Sequence, residues 1–332
     1  MSTTQLPSRS EPWTRRGLPV PAKFSPPAVA LRATAAHDPR VGHLMGDEVS
    51  ERQWPRLAII GFQCDDGVRR NNGREGAATA PDAIREALYR MTPDLDPAFS
   101  RLLARATDFG NLNLKGDLGE SQALLGSVVA TCLEHGTLVV VLGGGHETTF
   151  GHFLGYAQSN RTIRILNWDA HPDVRTLIHG HGHSGSPFRQ AIEHPSKACA
   201  RYDVAGLLPH AVAAAHVEFV TEHGGRVWWR QELIRDTIEA ALHETHGPSM
   251  VSFDMDALDQ AYAPGVSAPA VGGLTPDLWL HAAYCAGLNP KVSSMDIVEM
   301  NPRLDRDGQT ARLGALTLWT FLKGVATRDA QS

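Results

Sequence analysis

The chain has 332 residues, of which 42% are hydrophobic and 20% charged, and its formal net charge is -5 at pH 7. This composition supplies a large buried core, and the negative charge argues against a nucleic-acid partner and favours a small molecule. The four cysteines form no C-x-x-C pair, and no apolar run reaches the roughly 18 residues that a membrane span requires. We therefore expect a cytoplasmic protein that does not bind membranes.

The first 50 residues hold many of the prolines and have no sustained hydrophobic periodicity. A segment of this composition buries little apolar surface, so we expect an extended or disordered N-terminal segment over residues 1–50. Residues 51–328 are predicted to form a single domain, because strands and helices alternate through them without an internal repeat.

From residue 56 onward, short apolar runs alternate with segments of helical spacing. Strands are predicted at 56–61, 108–111, 137–142, 163–168 and 249–254, around Ala205 and Val217, and in SSMDIVEM up to residue 299. Helices are predicted at 81–91, 120–135, after the GGGH turn to about residue 157, from Phe188, and at 231–243, 276–286 and 310–326. This alternation predicts an α/β fold with three αβα layers and a mostly parallel sheet.

The apolar run at 163–168 leads directly into a polar strand end. The segment DAHPD that follows places Asp169, His171 and Asp173 at alternate positions. If the backbone stays extended there, the period-2 geometry of a strand sends all three side chains to the same side. Two carboxylates and an imidazole then converge.

Two other predicted strands end in the same kind of side chain. Asp254 and Asp256 stand two apart after an apolar lead-in, and His146 follows a five-residue apolar run and three glycines. The carboxyl ends of parallel strands meet at one edge of a sheet, so we expect these side chains to join the first group. Carboxylates packed so closely repel one another unless cations neutralise them. The sequence therefore predicts a pair of metal ions.

Four segments, in this order, resemble the signature sequences of the ureohydrolase superfamily, which includes arginases and agmatinases. They are GGGH at 143–146, DAHPD at 169–173, SFDMDALD at 252–259 and EMNP at 299–302. The resemblance spans residues 56–326 and implies an arginase-like fold, two Mn²⁺ ions in each subunit and a homo-oligomer.

Six residues match the metal ligands of this superfamily, and two of them, Asp169 and Asp254, are expected to bridge the ions. An oxygen-rich ligand set with imidazole suits Mn²⁺, although Fe²⁺, Co²⁺ and Zn²⁺ are also compatible with it. One ion is expected to bind His146, Asp169, Asp173 and Asp254, and the other Asp169, His171, Asp254 and Asp256.

Further segments look most similar to the formimidoylglutamase family, whose members hydrolyse N-formimidoyl-L-glutamate to L-glutamate and formamide. They include GVRRNNGREG in the first loop, DVR at 173–175, SGSPFRQ and EMNPRLDRDGQTARL. Gly145 also stands where arginases and agmatinases usually have aspartate, and Phe188 where guanidino hydrolases tend to have a catalytic histidine. A metal-bridging hydroxide is the expected nucleophile.

The resemblance also implies roles for residues outside the ligand set. Glu299 matches the acid that holds the substrate's cationic group, a task that suits a carboxylate because it accepts paired N–H donors. Asp256 is expected to carry a proton to the departing nitrogen. Arg175 lies where arginases bind the amino-acid end of the substrate, and its guanidinium suits a carboxylate. Ser184, in the SGSPF segment, is a further expected substrate contact.

Two alternatives stay open. A guanidino-acid hydrolase of the agmatinase or guanidinobutyrase type would release urea, and a catalytically silent family member would act as a binding or regulatory subunit. The DVR and SGSPF segments argue against the first, and the complete ligand set argues against the second. His179, His181 and His183 are interpreted as part of a flexible loop, in which one of them could replace the missing catalytic histidine.

Overall fold

The computed structural model describes residues 18–29, 37–46, 49, 53–243 and 247–331. Its strands are β1 (Phe24–Ser25), β2 (Leu57–Gly61), β3 (Ala106–Leu112), β4 (Leu138–Leu142), β5 (Ile163–Trp168), β6 (Cys199–Leu207), β7 (Val227–Trp229), β8 (Ser249–Asp254) and β9 (Val292–Val298). They form one sheet in the order β1-β3-β2-β4-β9-β8-β5-β6-β7. The edge pair β1–β3 is antiparallel, and the other described pairs are parallel.

Helices cover both faces of this sheet. In the described ranges they are α1 (Val41–Leu44), α2 (Asp66–Arg70), α3 (Ala80–Tyr89), α4 (Pro97–Ala104), α5 (Leu118–Glu134), α6 (Glu147–Gln158), α7 (Pro187–Glu193), α8 (Ala214–Glu222), α9 (Arg235–His243), α10 (Pro276–Leu288) and α11 (Gln309–Gln331). α3, α4, α10 and α11 pack together on one face, and α5, α6 and α7 pack on the other. None of the described helices is long and apolar enough to cross a membrane.

Alternate residues of the central strands supply the two halves of the core. In β2, Leu57 and Ile59 pack into the cluster under α3 and α11, whereas Ala58 and Ile60 pack into the cluster under α5 and α6. This alternation is the period-2 geometry of a strand that is buried on both faces. The predicted three-layer α/β fold with a mostly parallel sheet is confirmed.

The strand predicted around Val217 is wrong. Residues 214–222 form helix α8 on the surface, in which Val220 is the one buried residue, and the strand follows only at β7. Between them the chain reverses at Gly224, which has a φ of 77°. In a short segment with few apolar residues, the sequence pattern does not distinguish the 3.6-residue period of a helix from the 2-residue period of a strand.

The described part of the first 50 residues is docked on the domain. Phe24 in β1 lies opposite Leu112 in β3, and Val41 and Met45 are buried in the core beside α3 and α4. Residues 1–17 and 30–36 lie outside the described residues. The predicted division of the chain at residue 50 therefore stays a proposal.

The order of the strands creates the position of the site. After β4 the chain crosses to β5, and the two strands that fill the gap, β8 and β9, come later in the sequence. A crevice forms at the carboxyl ends of parallel strands where their order switches in this way. The four strands that carry the predicted site residues are those that surround this crevice.

Candidate metal centre and active site

Four adjacent strands each place a polar residue at this crevice. His146 follows β4, Asp169 follows β5, Asp254 ends β8 and Glu299 follows β9. The turn after β4 requires glycine, because a Cβ atom on Gly144 would lie 1.8 Å from the carbonyl oxygen of Cys64. All four polar residues are buried.

The first group of donor atoms surrounds the imidazole of His146. Its Nδ1 atom lies 2.9 Å from Asp173 Oδ2, 2.9 Å from Asp254 Oδ2 and 3.4 Å from Asp169 Oδ2. One ligand atom from each of these four residues lies within 4.8 Å of the others. The structure thus brings together the four residues that were expected to bind one ion.

The second group shares Asp169 with the first. His171 Nδ1 lies 3.4 Å from Asp169 Oδ1 and 3.3 Å from Asp256 Oδ2. Asp169 therefore faces the first group with one carboxylate oxygen and the second with the other. Asp254, expected to bridge as well, lies in the first group, and its Oδ1 accepts a 2.8 Å hydrogen bond from the backbone N–H of Asp256.

The DAHPD segment does not converge as an extended strand. β5 ends at Trp168, and Asp173 has a φ of 45°, so the segment is a turn that directs His171 to one group and Asp173 to the other. Glu299 also has a positive φ, of 64°. Backbone of this kind is unfavourable for residues other than glycine and is found mainly where the surrounding structure or function requires it.

The chemistry of the donor atoms fits divalent cations. His146 Nδ1 is buried and faces carboxylate oxygens, yet it forms no hydrogen bond of acceptable geometry with them. Asp256 Oδ1 is likewise buried without a hydrogen-bond partner among the described residues. A lone pair that faces carboxylates is repulsive unless a cation lies between them, and oxygen and imidazole donors suit Mn²⁺.

Charge crowding changes the proton affinity of these groups when no cation is present. Burial raises the pKa of Asp254 well above its usual value, and the neighbouring Asp256 and Asp169 raise it further. Burial also raises the pKa of Asp256 to about 6. For His146, burial lowers the pKa, but the surrounding carboxylates, Asp254 foremost, raise it well above its usual value. The metal-free site therefore holds protons that bound cations would displace.

Two glutamates complete the floor of the site. Glu299 Oε1 accepts a 2.8 Å hydrogen bond from the backbone N–H of His146, and burial with the nearby Glu147 raises its pKa well above the usual value. Glu147 Oε1 accepts a 2.7 Å hydrogen bond from the backbone N–H of Gly67 in α2. A Cβ atom on Gly145 would lie 2.1 Å from Glu147 Oε2, so glycine at 145 leaves the space that this carboxylate fills.

Two loops meet at the rim of the site. Arg175 Nη1 donates a 3.4 Å hydrogen bond to Asn71 Oδ1, and Asn71 Nδ2 donates one of 3.1 Å to Ser184 Oγ. Arg70 also donates to the carbonyl oxygen of Gly182. Asn71 thus links the predicted substrate contacts Arg175 and Ser184. The sequence did not predict this role for Asn71, although Asn-Asn-Gly is typical of a turn at this place.

Local hydrogen bonds engage both ring nitrogens of His183, one of the three loop histidines. His183 is buried, its Nε2 lies 3.0 Å from the carbonyl oxygen of Thr176, and its Nδ1 accepts a 3.1 Å hydrogen bond from Gly185. Phe188 is buried, stacks on Tyr202, and has its ring centre 5.1 Å from that of His146. An apolar ring therefore lies beside the candidate metal ligand at the position where guanidino hydrolases tend to have histidine.

A mostly parallel sheet whose carboxyl edge gathers two carboxylate–imidazole groups around a shared aspartate is the architecture of an α/β enzyme with a binuclear metal centre. The sequence model of the Arginase family matches residues 55–323, which is most of the chain. The chain belongs to the arginase family, and the resemblance inferred from its four signature segments is confirmed.

Individual relatives extend this similarity over most of the chain. Formimidoylglutamase from Geobacillus thermodenitrificans (strain NG80-2) is 37% identical over 268 residues, which are 78% of this chain and 81% of that protein. Formiminoglutamase from Trypanosoma cruzi, solved with Mn²⁺, has a TM-score of 0.80 and 31% identity, covering 88% of this chain and 99% of that one. Proclavaminate amidino hydrolase from Streptomyces clavuligerus has a TM-score of 0.74 and 25% identity, covering 95% of this chain and 100% of that one.

Proposed function

We propose that the chain is a formimidoylglutamase, a hydrolase that uses two Mn²⁺ ions to convert N-formimidoyl-L-glutamate to L-glutamate and formamide. The observation that carries this proposal is the pair of donor groups that share Asp169 at the carboxyl edge of the sheet. Relatives of that name, 33–38% identical to the chain, support the choice of substrate.

The six predicted ligands are proposed to hold the two ions in overlapping sets. His146 and Asp173 would hold one ion and His171 and Asp256 the other, and Asp169 offers an oxygen to each group. Two such ions would lower the pKa of a bound water and so would supply hydroxide near neutral pH. Asp254 contributes to the first set through Oδ2 and orients the backbone of Asp256 through Oδ1.

Glu299 is proposed to bind the amidinium of the substrate. Oε1 of its buried carboxylate accepts the backbone N–H of His146, and Oε2 is proposed to receive the N–H groups of the substrate. Burial strengthens the contact with a cationic amidinium, because the surroundings have a low effective dielectric constant. The amidine carbon is then held at a fixed distance from the metal centre.

Asp256 is proposed to transfer the proton that the reaction requires. The attacking oxygen gives up a proton as it bonds to the amidine carbon, and the nitrogen of glutamate must gain one as the C–N bond breaks. Asp256 belongs to the second group of donor atoms, so its carboxylate lies beside the place where the bond is broken. A carboxylate at this place can accept the proton from the oxygen and pass it to the departing nitrogen.

Arg175 and Ser184 are proposed to bind the acidic end of the substrate. Formimidoylglutamate has two carboxylates, and the guanidinium of Arg175 offers paired N–H donors of the right shape. Its exposed position at the rim leaves it accessible to a substrate that enters from solvent, and Asn71 limits its movement. A dicarboxylate is therefore the substrate class that the rim favours.

We further propose that the protein acts in the cytoplasm as a homo-oligomer and without nucleic acid. The four cysteines of the described chain are unpaired, as expected in a reducing compartment, and the net charge of -5 disfavours a polyanion. Light scattering of the Mn²⁺-loaded protein after size exclusion would measure the mass, and a monomer would contradict the oligomer.

A product assay tests the proposed reaction. The Mn²⁺-loaded protein is incubated separately with N-formimidoyl-L-glutamate, 4-guanidinobutyrate, arginine and agmatine, and glutamate, formamide, ammonia and urea are measured. Glutamate with formamide is the expected result. Urea from a guanidino compound would favour the amidino-hydrolase alternative, and no product from any compound would favour a catalytically silent member.

A further inference from the structure

A chain of buried hydrogen bonds leads away from the candidate metal ligand His146 into the protein interior. His146 Nε2 lies 3.0 Å from Ser252 Oγ, and Ser252 Oγ donates a 2.6 Å hydrogen bond to Asp296 Oδ1. The other carboxylate oxygen, Asp296 Oδ2, lies 2.8 Å from Nδ1 of His152. All four residues are buried, so water does not compete for these contacts.

The chemistry of the groups fixes the direction of each proton. An ionised carboxylate only accepts, so Asp296 takes the single hydroxyl proton of Ser252 and the Nδ1 proton of His152. Ser252 Oγ then has no proton left for His146 and must accept one from Nε2. His146 is thereby selected in the tautomer whose Nδ1 lone pair points at the carboxylates of Asp173 and Asp254.

The far end of the chain of hydrogen bonds is anchored as well. His152 Nε2 lies 2.7 Å from Ser294 Oγ, and the hydroxyl of Tyr156 lies 2.5 Å from the same oxygen. Both ring nitrogens of His152 are therefore engaged by residues of β9, Nδ1 by Asp296 and Nε2 by Ser294. The ring orientation is fixed from both sides.

We propose that His152 is a positioning residue for one of the two metal ions, through Asp296, Ser252 and the metal ligand His146. This inference rests on the proposed metal centre and adds a role for a residue that contacts neither ion nor substrate. Loss of the Nδ1–H donor would leave a buried oxygen of Asp296 without a partner. Asp296 would then be free to rotate, and Ser252 would lose its fixed acceptor.

The proposed effect is asymmetric. The hydrogen-bonded chain reaches His146, which belongs to the first group of donor atoms only, whereas the second group has its own imidazole, His171. Nδ1 of His171 faces Asp169 and Asp256 and has no place in the contacts that lead to His152. Weakening the chain should therefore loosen one ion and leave the other bound.

Two variants of His152 distinguish loss of its Nδ1–H donor from loss of its packing. In His152→Asn the side-chain N–H₂ lies near the place of Nδ1 and can still donate to Asp296, whereas in His152→Gln it lies near the place of Nε2. Ser252→Ala is the second route, because it cuts the chain next to His146 and leaves the His152–Asp296 pair intact. Tyr156→Phe is the control for the outer end, since it removes only the hydroxyl beyond Ser294.

The measurement is a titration of chelator-stripped protein with Mn²⁺, in which the free ion is counted by its electron paramagnetic resonance signal. Wild type, His152→Asn and Tyr156→Phe are expected to bind two ions tightly. His152→Gln and Ser252→Ala are expected to keep one tight ion and to bind the other about 10- to 100-fold more weakly, as is typical when a partner of a metal-binding histidine is lost.

Other results would overturn the inference. Two tight ions in His152→Gln, equal weakening of both ions, or a His152→Asn variant that behaves like His152→Gln would each remove His152 from this role. Should His152→Gln fail to fold, two tight ions in Ser252→Ala would have the same consequence. A wild-type protein that binds fewer than two ions would instead refute the proposed metal centre on which the inference rests.

Discussion

The carboxylate of Glu299 accepts a 2.8 Å hydrogen bond from the backbone N–H of His146, so the proposed substrate acid and a proposed metal ligand are fixed to one another. A second hydrogen bond joins the same two segments, because the backbone N–H of Glu299 donates to the carbonyl oxygen of Gly144 at 2.8 Å. The ends of β4 and β9 therefore move as a unit. A substrate held by Glu299 would keep its distance to the metal centre without the closure of a lid.

Glu299→Gln should remove the negative charge of the side chain and keep its hydrogen bond to His146. The amide oxygen can still accept the backbone N–H of His146, so two Mn²⁺ ions should remain bound. The amidinium would lose its anionic partner, and kcat/KM should fall on the order of 100-fold. Steady-state kinetics and metal analysis check this, with Glu86→Gln on the exposed face of α3 as the control. A Glu299→Gln variant with normal kcat/KM would exclude the proposed role.

Asp256→Asn should retain much of the metal and lose turnover. Asparagine keeps an oxygen for the second group of donor atoms but cannot carry a proton, so kcat should fall by about 100- to 10,000-fold. Metal content by mass spectrometry and product formation under saturating substrate are the two measurements. Unchanged turnover would remove Asp256 from proton transfer, and loss of both ions would make it a ligand alone.

Arg175→Gln should act on binding rather than on chemistry. Loss of a charged donor to a substrate carboxylate should raise KM about 10- to 100-fold and leave kcat within a few-fold. Arg69→Gln is a matched control, because Arg69 lies in α2 near the same rim but forms an exposed ion pair with Asp66. If both variants raise KM equally, the effect is one of general surface charge, and Arg175 loses its specific role.

Sequence alone could predict the donor atoms of the site because each lies within a few residues of a strand end. The parallel sheet brings those ends together, so the positions of Asp169 and Asp254 follow from local spacing and topology. The direction of each side chain did not follow, since it depends on the turn at Asp173, whose φ is 45°. The bridging role expected for Asp254 stays a prediction.

The supporting contacts could not be predicted because they join residues far apart in the chain. His152 and Asp296 are separated by 144 positions, and Glu147 reaches Gly67 across 80. A histidine or a glutamate in a helix next to a signature motif gives no local sign of such a partner. The pairing of β1 with β3 also joins residues far apart in the chain. It orders residues 24–25, which belong to a segment whose composition predicts an extended or disordered state.

Mn²⁺ affinity should increase as the pH rises above about 6, which is the pKa of Asp256 in the metal-free site. The surrounding carboxylates also raise the pKa of His146 well above its usual value, and burial raises that of Asp254, so both groups hold protons to a higher pH than usual. The ion binds the unprotonated forms of these side chains. For each proton that Mn²⁺ displaces, the apparent Kd should therefore fall about tenfold when the pH is raised by one unit. Titrations at constant ionic strength, with proton release followed by a pH indicator, check the sign. Affinity that is independent of pH would contradict a protonated metal-free site.

The buried ion pair between Arg85 and Asp108 should dominate the stability of the α3 side of the sheet. Arg85 Nε donates to Asp108 Oδ2 at 2.7 Å and Nη2 donates to Oδ1 at 2.9 Å, and both side chains are fully buried. Arg85→Met would leave the carboxylate of Asp108 buried without its cation, so the free energy of unfolding should fall by about 3–5 kcal/mol.

Arg90→Gln is the matched control for this prediction, because Arg90 is the C-cap of the same helix and forms an exposed i,i+4 ion pair with Glu86. Such a pair contributes only about 0.3–0.5 kcal/mol. Urea denaturation followed by circular dichroism measures both variants, provided that unfolding is reversible and two-state. An equal loss of stability in the two variants would contradict the prediction. The buried ion pair would then contribute no more to the free energy of unfolding than the exposed one.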